Sequence, residues 1–181
     1  MEDGTGREEN EPITILKKQA KQQLLHQRNR RNLFFSIPTM RPPRKRVDFA
    51  RDDKVEICGN EDGFLGSYYQ ATVVSRLDNG LYVVRYDTLL EDDASQQPLT
   101  ETLFPKELRP QPPRVSKTDF ALYQCVDAFD NDGWWLGQVT GKKDAEHYYV
   151  YFSTTNEEIA YHVSAIRVHH EWSHGEWVLS N

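Results

Sequence analysis

The sequence predicts an all-β protein, two tandem copies of one small fold placed behind a basic N-terminal tail. Three observations predict it. After residue 48, short runs rich in β-branched and aromatic residues alternate with turn residues. The order of those runs occurs twice. Composition also changes abruptly at that boundary. Residues 1–47 carry 11 basic and 5 acidic side chains, whereas residues 48–181 carry 11 basic and 23 acidic ones. The formal charge of −6 therefore joins a +6 tail to a −12 body. Of 21 aromatic residues only Phe34 and Phe35 precede residue 48, so the tail lacks core material and the body is rich in it.

The tail comes first. Residues 1–11 are polar and hold all five tail acids. Residues 12–32 open on Pro12, which suits a first helical position, and Ile13, Leu16, Ala20 and Leu24 recur near helical spacing. Arg41-Pro-Pro-Arg44-Lys45-Arg46 is extended by its prolines. As a whole the tail reads as a solvated, disordered arm. Functionally, Arg41, Arg44, Lys45 and Arg46 form a candidate nuclear-import or nucleic-acid-contacting cluster. A mitochondrial transit peptide is the other acid-poor option, but the acidic first eleven residues argue against it.

The body follows. Asp53-Lys-Val-Glu-Ile-Cys58 alternates, with Val55 and Ile57 on one face. Tyr69-Gln-Ala-Thr-Val-Val74 and Leu81-Tyr-Val-Val-Arg-Tyr86 flank Asn79-Gly80, a strong hairpin signal. Val126-Asp-Ala128 repeats Val55-Glu-Ile57. Gly133 to Val139 repeats Ser67 to Val73, and Tyr148 to Phe152 repeats Tyr82 to Tyr86, both at an offset of 66 residues. Ile166-Arg167 repeats Leu108-Arg109. Length differences fall in connecting loops, where they are tolerated. Arg109-Pro-Gln-Pro-Pro-Arg114 is a stiff joint between the copies. The expected organisation is a tail over 1–47, a first domain over 48–112 and a second over 113–181. Each copy, near the lower size limit for an independent core, is expected to pack on the other.

Several function classes have no support. No apolar run approaches 18 residues, so no transmembrane helix is expected. Cys58 and Cys125 cannot make a disulfide framework. No phosphate loop, nucleophile elbow or zinc-protease motif occurs, and the expectation is a non-enzymatic protein without a cofactor. Asp130-Asn-Asp132-Gly133 lacks the distal Glu of a calcium loop. His170 and His174 are spaced to share a helix face, but no further ligand pattern accompanies them.

Aromatic residues at corresponding loop edges carry the stronger signal: Phe64, Tyr68, Tyr69 and Tyr86 in copy 1, and Phe129, Trp134, Trp135 and Phe152 in copy 2. Alternation sends the members of Tyr68-Tyr69 and of Trp134-Trp135 to opposite faces. Acids lie beside them, Asp87, Glu91, Asp92 and Asp93 in copy 1 and Asp130, Asp132, Glu157 and Glu158 in copy 2. Aromatic faces with a carboxylate suit a methylammonium ion, since ring quadrupoles attract the cation and the acid adds charge. The alternative use of such aromatics is to fill a small β-barrel.

The stretches Asp53 to Ile57, Glu61 to Val73, Tyr82 to Tyr86, Pro98-Leu-Thr-Glu101 and Leu108-Arg-Pro110 resemble a plant Agenet domain. Asp127 to Gly137, Arg167-Val-His169 and Trp172 to Trp177 resemble the second member of a tandem Agenet pair. This resemblance covers about residues 48–179. It implies two Tudor-like, strongly bent β-barrels of the Royal superfamily. It implies a chromatin-associated reader of methylated lysine on histone tails, histone H3 foremost, in the nucleus. It places the Tudor cage pattern on Phe129, Trp135 and Phe152 in copy 2, and on Cys58, Tyr69 and Tyr86 in copy 1, where Cys58 breaks the pattern, so that copy 1 either recruits Phe64 or Tyr68 or binds without a full cage. Thr155 and Leu89 occupy positions where a further cage aromatic can occur. The alternative function is a nucleic-acid-associated or protein–protein adaptor without methyl discrimination, the tail supplying DNA or RNA contact.

Overall fold

The computed structural model describes residues 47–180 apart from 62 and 92–95, all within the compact unit Pro42–Asn181. The candidate tail residues Arg41, Arg44, Lys45 and Arg46 and the helical spacing over 12–32 lie outside the described residues, as do Asp92 and Asp93.

Copy 1 is a five-stranded antiparallel meander: β1 (Lys54–Cys58), β2 (Ser67–Arg76), β3 (Tyr82–Leu90), β4 (Pro98–Leu103) and β5 (Leu108–Pro110). A 3-10 turn over Pro105–Glu107 brings β5 back to pair with β1. Copy 2 repeats the plan with β6 (Cys125–Asp130), β7 (Gly133–Lys142), β8 (His147–Phe152), β9 (Glu157–His162) and β10 (Ile166–Val168). The register shifts in β2 between Val73 and Ser75 and in β7 between Val139 and Gly141. These irregularities fall 66 residues apart, so the repeat extends to the bulge that bends each sheet. A hairpin of β11 (His170–Ser173) and β12 (Glu176–Leu179) follows. Its strands rule out the shared helix face considered for His170 and His174, because His174 sits in the turn with φ of 55°.

Alternation fills each barrel. Val55, Ile57, Ala71, Val73, Tyr82 and Val84 are buried in copy 1, and Val126, Ala128, Val139, Tyr148 and Val150 in copy 2. The copies are joined by strand pairing. β2 and β7 run antiparallel with Ser67 opposite Trp135 and Tyr68 opposite Trp134. Leu136 N–H donates to the Gly66 carbonyl at 2.8 Å. One ten-stranded sheet results, and the seam puts two aromatic pairs at its centre.

Candidate functional site

Four of the aromatic candidates meet on the inner side of the seam. Tyr69 lies 6.4 Å from Tyr86 and 6.3 Å from Trp135, both edge-on, and Phe64 lies 6.1 Å from Trp135. Tyr69 and Tyr86 share a face because β1, β2 and β3 pair Ile57 with Tyr69 and Ala71 with Tyr86. Trp135 comes from the other copy, so the cluster belongs to neither barrel alone. Gly133 permits the approach: a Cβ there would lie 2.8 Å from the Tyr69 ring. One carboxylate and a backbone carbonyl edge the cluster. Tyr86 donates to Glu101 at 2.7 Å, and the Trp135 indole donates to the Asp130 carbonyl at 2.9 Å. Thr88 donates across the seam to the Asp132 carbonyl at 3.1 Å. The four rings are 1–7 % exposed, so they fill one another's faces.

The outer side carries a second constellation. Here the structure places Tyr68 and Trp134, and each ring is already covered by a cation of the protein itself. The Arg109 guanidinium sits 3.3 Å over Tyr68 and that of Arg167 4.2 Å over Trp134. Both arginines converge on Glu56. Arg109 donates to it from Nε and Nη2 at 3.0 and 2.7 Å, and Arg167 from Nη1 and Nη2 at 2.6 and 3.1 Å. Arg167 Nε also donates to Asp127 at 2.9 Å. Glu56 and Asp127 occupy equivalent repeat positions and are both wholly buried. His169 faces carboxylates on both ring nitrogens, Asp127 at 2.6 Å and Glu171 at 3.0 Å. Burial alone would lower its pKa, but the bonds and charges of Asp127 and Glu171 outweigh that, and the value is raised. An imidazolium is the species that donates from both nitrogens.

The structure removes one residue from the cage grouping in each copy. Phe129 pairs with Trp134, and Cys58 pairs with Tyr68, so both lie on the outer face. Residues directly opposite share a face, and Trp135 and Tyr69 are one residue further along. The Phe129 and Trp134 rings meet at 5.1 Å. Phe129 is 38 % exposed and is the open ring among the eight candidates. Burial pushes the Cys58 thiol up to about 11, so it stays protonated at neutral pH. Phe152 faces Tyr161 at 6.0 Å. Asp87 points away from Tyr86 and is held by Lys54 at 3.1 Å and Thr72 at 2.8 Å. Glu91 is exposed, and Leu89 is buried.

Comparison with known proteins agrees with this architecture. The Agenet domain family model matches residues 52–113, which is the first copy. The crystal structure of Arabidopsis thaliana AGDP1 AGD34 superposes with a TM-score of 0.69 at 32% identity, covering 73% of this chain and 90% of that one. The chain belongs to the Agenet domain family. The structure of the ADCP1 tandem Agenet domain 3-4 gives a TM-score of 0.66 at 31% identity, covering 74% of this chain and 89% of that one. Among Arabidopsis thaliana proteins, Protein AGENET DOMAIN (AGD)-CONTAINING P1 is 34% identical over 131 residues, 72% of this chain and 25% of that protein. DUF724 domain-containing protein 3 is 34% identical over 138 residues, 73% of this chain and 20% of that protein. This chain thus spans a quarter or less of the curated relatives' length. As a tandem Agenet unit it is a Tudor-like, reader-type fold.

Three further residues of the Agenet pair were not singled out by sequence. Tyr161 donates to Asp130 Oδ2 at 2.8 Å, and burial with the Asp130 charge pushes its phenol up. The alternation of Glu157 to His162 was the available signal. In sequence Arg109 and Arg167 mark only the repeat, and in the structure they tie the copies together through Glu56.

Proposed function

We propose that this tandem Agenet unit is a non-enzymatic, chromatin-associated reader that binds basic histone tails, histone H3 foremost, and recognises methylated lysine. The observation that carries the reading is the ring cluster Phe64, Tyr69, Tyr86 and Trp135, contributed by both copies, with the Glu101 carboxylate bonded to Tyr86. Aromatic faces beside carboxylates are what a desolvated methylammonium requires. The −12 body steers a Lys/Arg-rich peptide toward that seam and repels DNA. Three of the rings stand on strands, and Phe64 alone comes from a loop, flanked by Gly63 and Gly66 at φ of 85° and 79°. Phe64 is thus the wall that swings aside to admit a lysine side chain.

The test is binding of methylated and unmethylated histone H3 peptides to the full chain, followed by Phe64→Ala. The wild type is expected to prefer methylated lysine. Phe64→Ala, which leaves the strand rings in place, is expected to keep its fold and lose most of that preference. Equal affinity of the wild type for both peptides would sink the reading. Trp135→Ala and Tyr69→Ala do not separate the copies, because both rings belong to one cluster.

A second reading is favoured by the closure of the rings and by the guanidinium groups that already cover Tyr68 and Trp134. In it the unit is an adaptor that binds a protein partner without methyl discrimination. In either reading the tail's Arg41, Arg44, Lys45 and Arg46 serve nuclear import or contact DNA or RNA. Nucleic-acid affinity that falls steeply with salt and disappears on deleting residues 12–47 would assign that role to the tail.

A further inference from the structure

The loop that carries Phe64 has no counterpart in copy 2. There the equivalent strands are joined by Asn131 and Asp132 alone, because Asp130 pairs with Gly133. Their φ values of 46° and 64° suit a two-residue hairpin turn. Copy 1 instead runs from Gly59 to Ser67 through a longer loop, closed at its base by Gly59 N–H donating to the Ser67 carbonyl at 2.9 Å. Copy 2 shows that this corner of the barrel needs only a tight turn. The longer loop of copy 1 lays Phe64 against Trp135 and leaves its neighbour Leu65 55 % exposed.

Ser67 holds that loop down. It is wholly buried, its hydroxyl donates to the Phe64 carbonyl at 2.7 Å, and its N–H donates to the same oxygen at 2.9 Å. Gly59 makes room for the arrangement: a Cβ there would overlap both the Ser67 Oγ and the Phe64 carbonyl oxygen. The repeat position of Ser67 in copy 2 is Gly133, which has neither a hydroxyl nor a loop to hold. The hydroxyl thus occurs in the copy that has the loop, and it binds the very residue whose ring closes the cluster. A swing of Phe64 moves the carbonyl and breaks the bond.

We propose that Ser67 is the positioning residue of the Phe64 wall, its hydroxyl latching the loop shut over the ring cluster. What the latch controls rests on the methyl-lysine reading of that cluster: it sets the fraction of molecules open to a methylammonium side chain. Apparent affinity scales with the fraction of protein in the binding-competent state. Weakening the latch therefore tightens binding, the opposite of what loss of a supporting core residue does.

The experiment compares the full chain with Ser67→Ala in two measurements. The first is amide hydrogen exchange without ligand. The N–H at position 67, bonded to the Phe64 carbonyl, is expected to exchange about fivefold faster in the variant, the effect of losing one buried hydrogen bond on local opening. The amides of Val73 and Val139, which donate to the Asp53 and Gln124 carbonyls away from the loop, are expected to keep their wild-type rates. An unchanged rate at position 67 overturns the latch. So does a rise shared equally by Val73 and Val139, which would mean that the whole fold has loosened. The second measurement is binding of the methylated and unmethylated histone H3 peptides. Ser67→Ala is expected to bind the methylated peptide about fivefold more tightly, the gain lying in the association rate. A wild type that prefers the methylated peptide, with a variant that binds it no more tightly, also overturns the proposal. Faster exchange at position 67 alone, in a chain whose wild type does not discriminate the peptides, upholds the latch and sinks only the methyl-lysine reading.

Discussion

Glu56 accepts four hydrogen bonds from two arginines that belong to different copies. Burying a carboxylate is costly unless its oxygens are matched, and here both are. His169 completes the same network on the Asp127 side, and its charge state is open to test. The groups facing it are Asp127, Glu171, the Tyr68 ring and, through Asp127, Arg167. Its folded pKa is raised above the ordinary value of 6.5, so the folded chain binds the proton more tightly than the unfolded chain. The resulting stabilisation is fully present below 6.5 and is lost as pH rises through the raised folded value. Thermal midpoints measured across that range should fall with pH in the wild type and fall less in His169→Gln. An identical slope in the variant would show that His169 is not the titrating group. None of this was legible from sequence. Val55-Glu-Ile57 reads as an ordinary alternating strand, and only the seam reveals that the face carrying Glu56 is covered.

At the scale of elements, the repeat is more faithful than the strand pattern suggested. Tyr82 and Tyr148 begin equivalent strands. The Tyr82 hydroxyl accepts from Phe49 N–H at 3.2 Å and donates to Asp48 at 3.5 Å. The Tyr148 hydroxyl accepts from Phe120 N–H at 3.4 Å and donates to Asp119 at 2.9 Å. The rings meet Phe49 at 5.8 Å and Phe120 at 5.4 Å, both edge-on. Asp48-Phe-Ala50 and Asp119-Phe-Ala121 are thus one latch used twice, holding the chain that leads into each barrel. Tyr82→Phe and Tyr148→Phe each keep the ring and delete the latch bond, at a cost of about 1 kcal/mol. Denaturant unfolding should show the larger loss for Tyr148→Phe, whose bond to Asp119 is shorter. The latch was visible as a repeated Asp-Phe-Ala triplet. A three-residue match outside any strand carries little weight until its partner is known.

For the whole molecule, the shared sheet and the common charge network predict that the two copies unfold together. The four tryptophans all lie in residues 134–177, so their fluorescence reports copy 2 and its hairpin, whereas far-UV circular dichroism reports both copies. The two signals should share one midpoint in denaturant. Glu56→Ala, in copy 1, should lower both midpoints together, with a loss of about 3–5 kcal/mol in unfolding free energy, because it removes the carboxylate that Arg109 and Arg167 share. Separate midpoints would show that the seam does not couple the barrels. By itself the sequence determined the strand class, the repeat, the bulge-bearing offset of 66 and the family, since hydrophobic alternation and turn residues are local signals. It also determined that one residue of each adjacent aromatic pair faces inward. Only the tertiary structure decided which one, and with which partners. Tyr69 meets Trp135 while Tyr68 and Trp134 stack under arginines, because the pairing of β2 with β7 sets the register across the seam. That register depends on contacts between residues 66 and 68 apart, which no local pattern encodes.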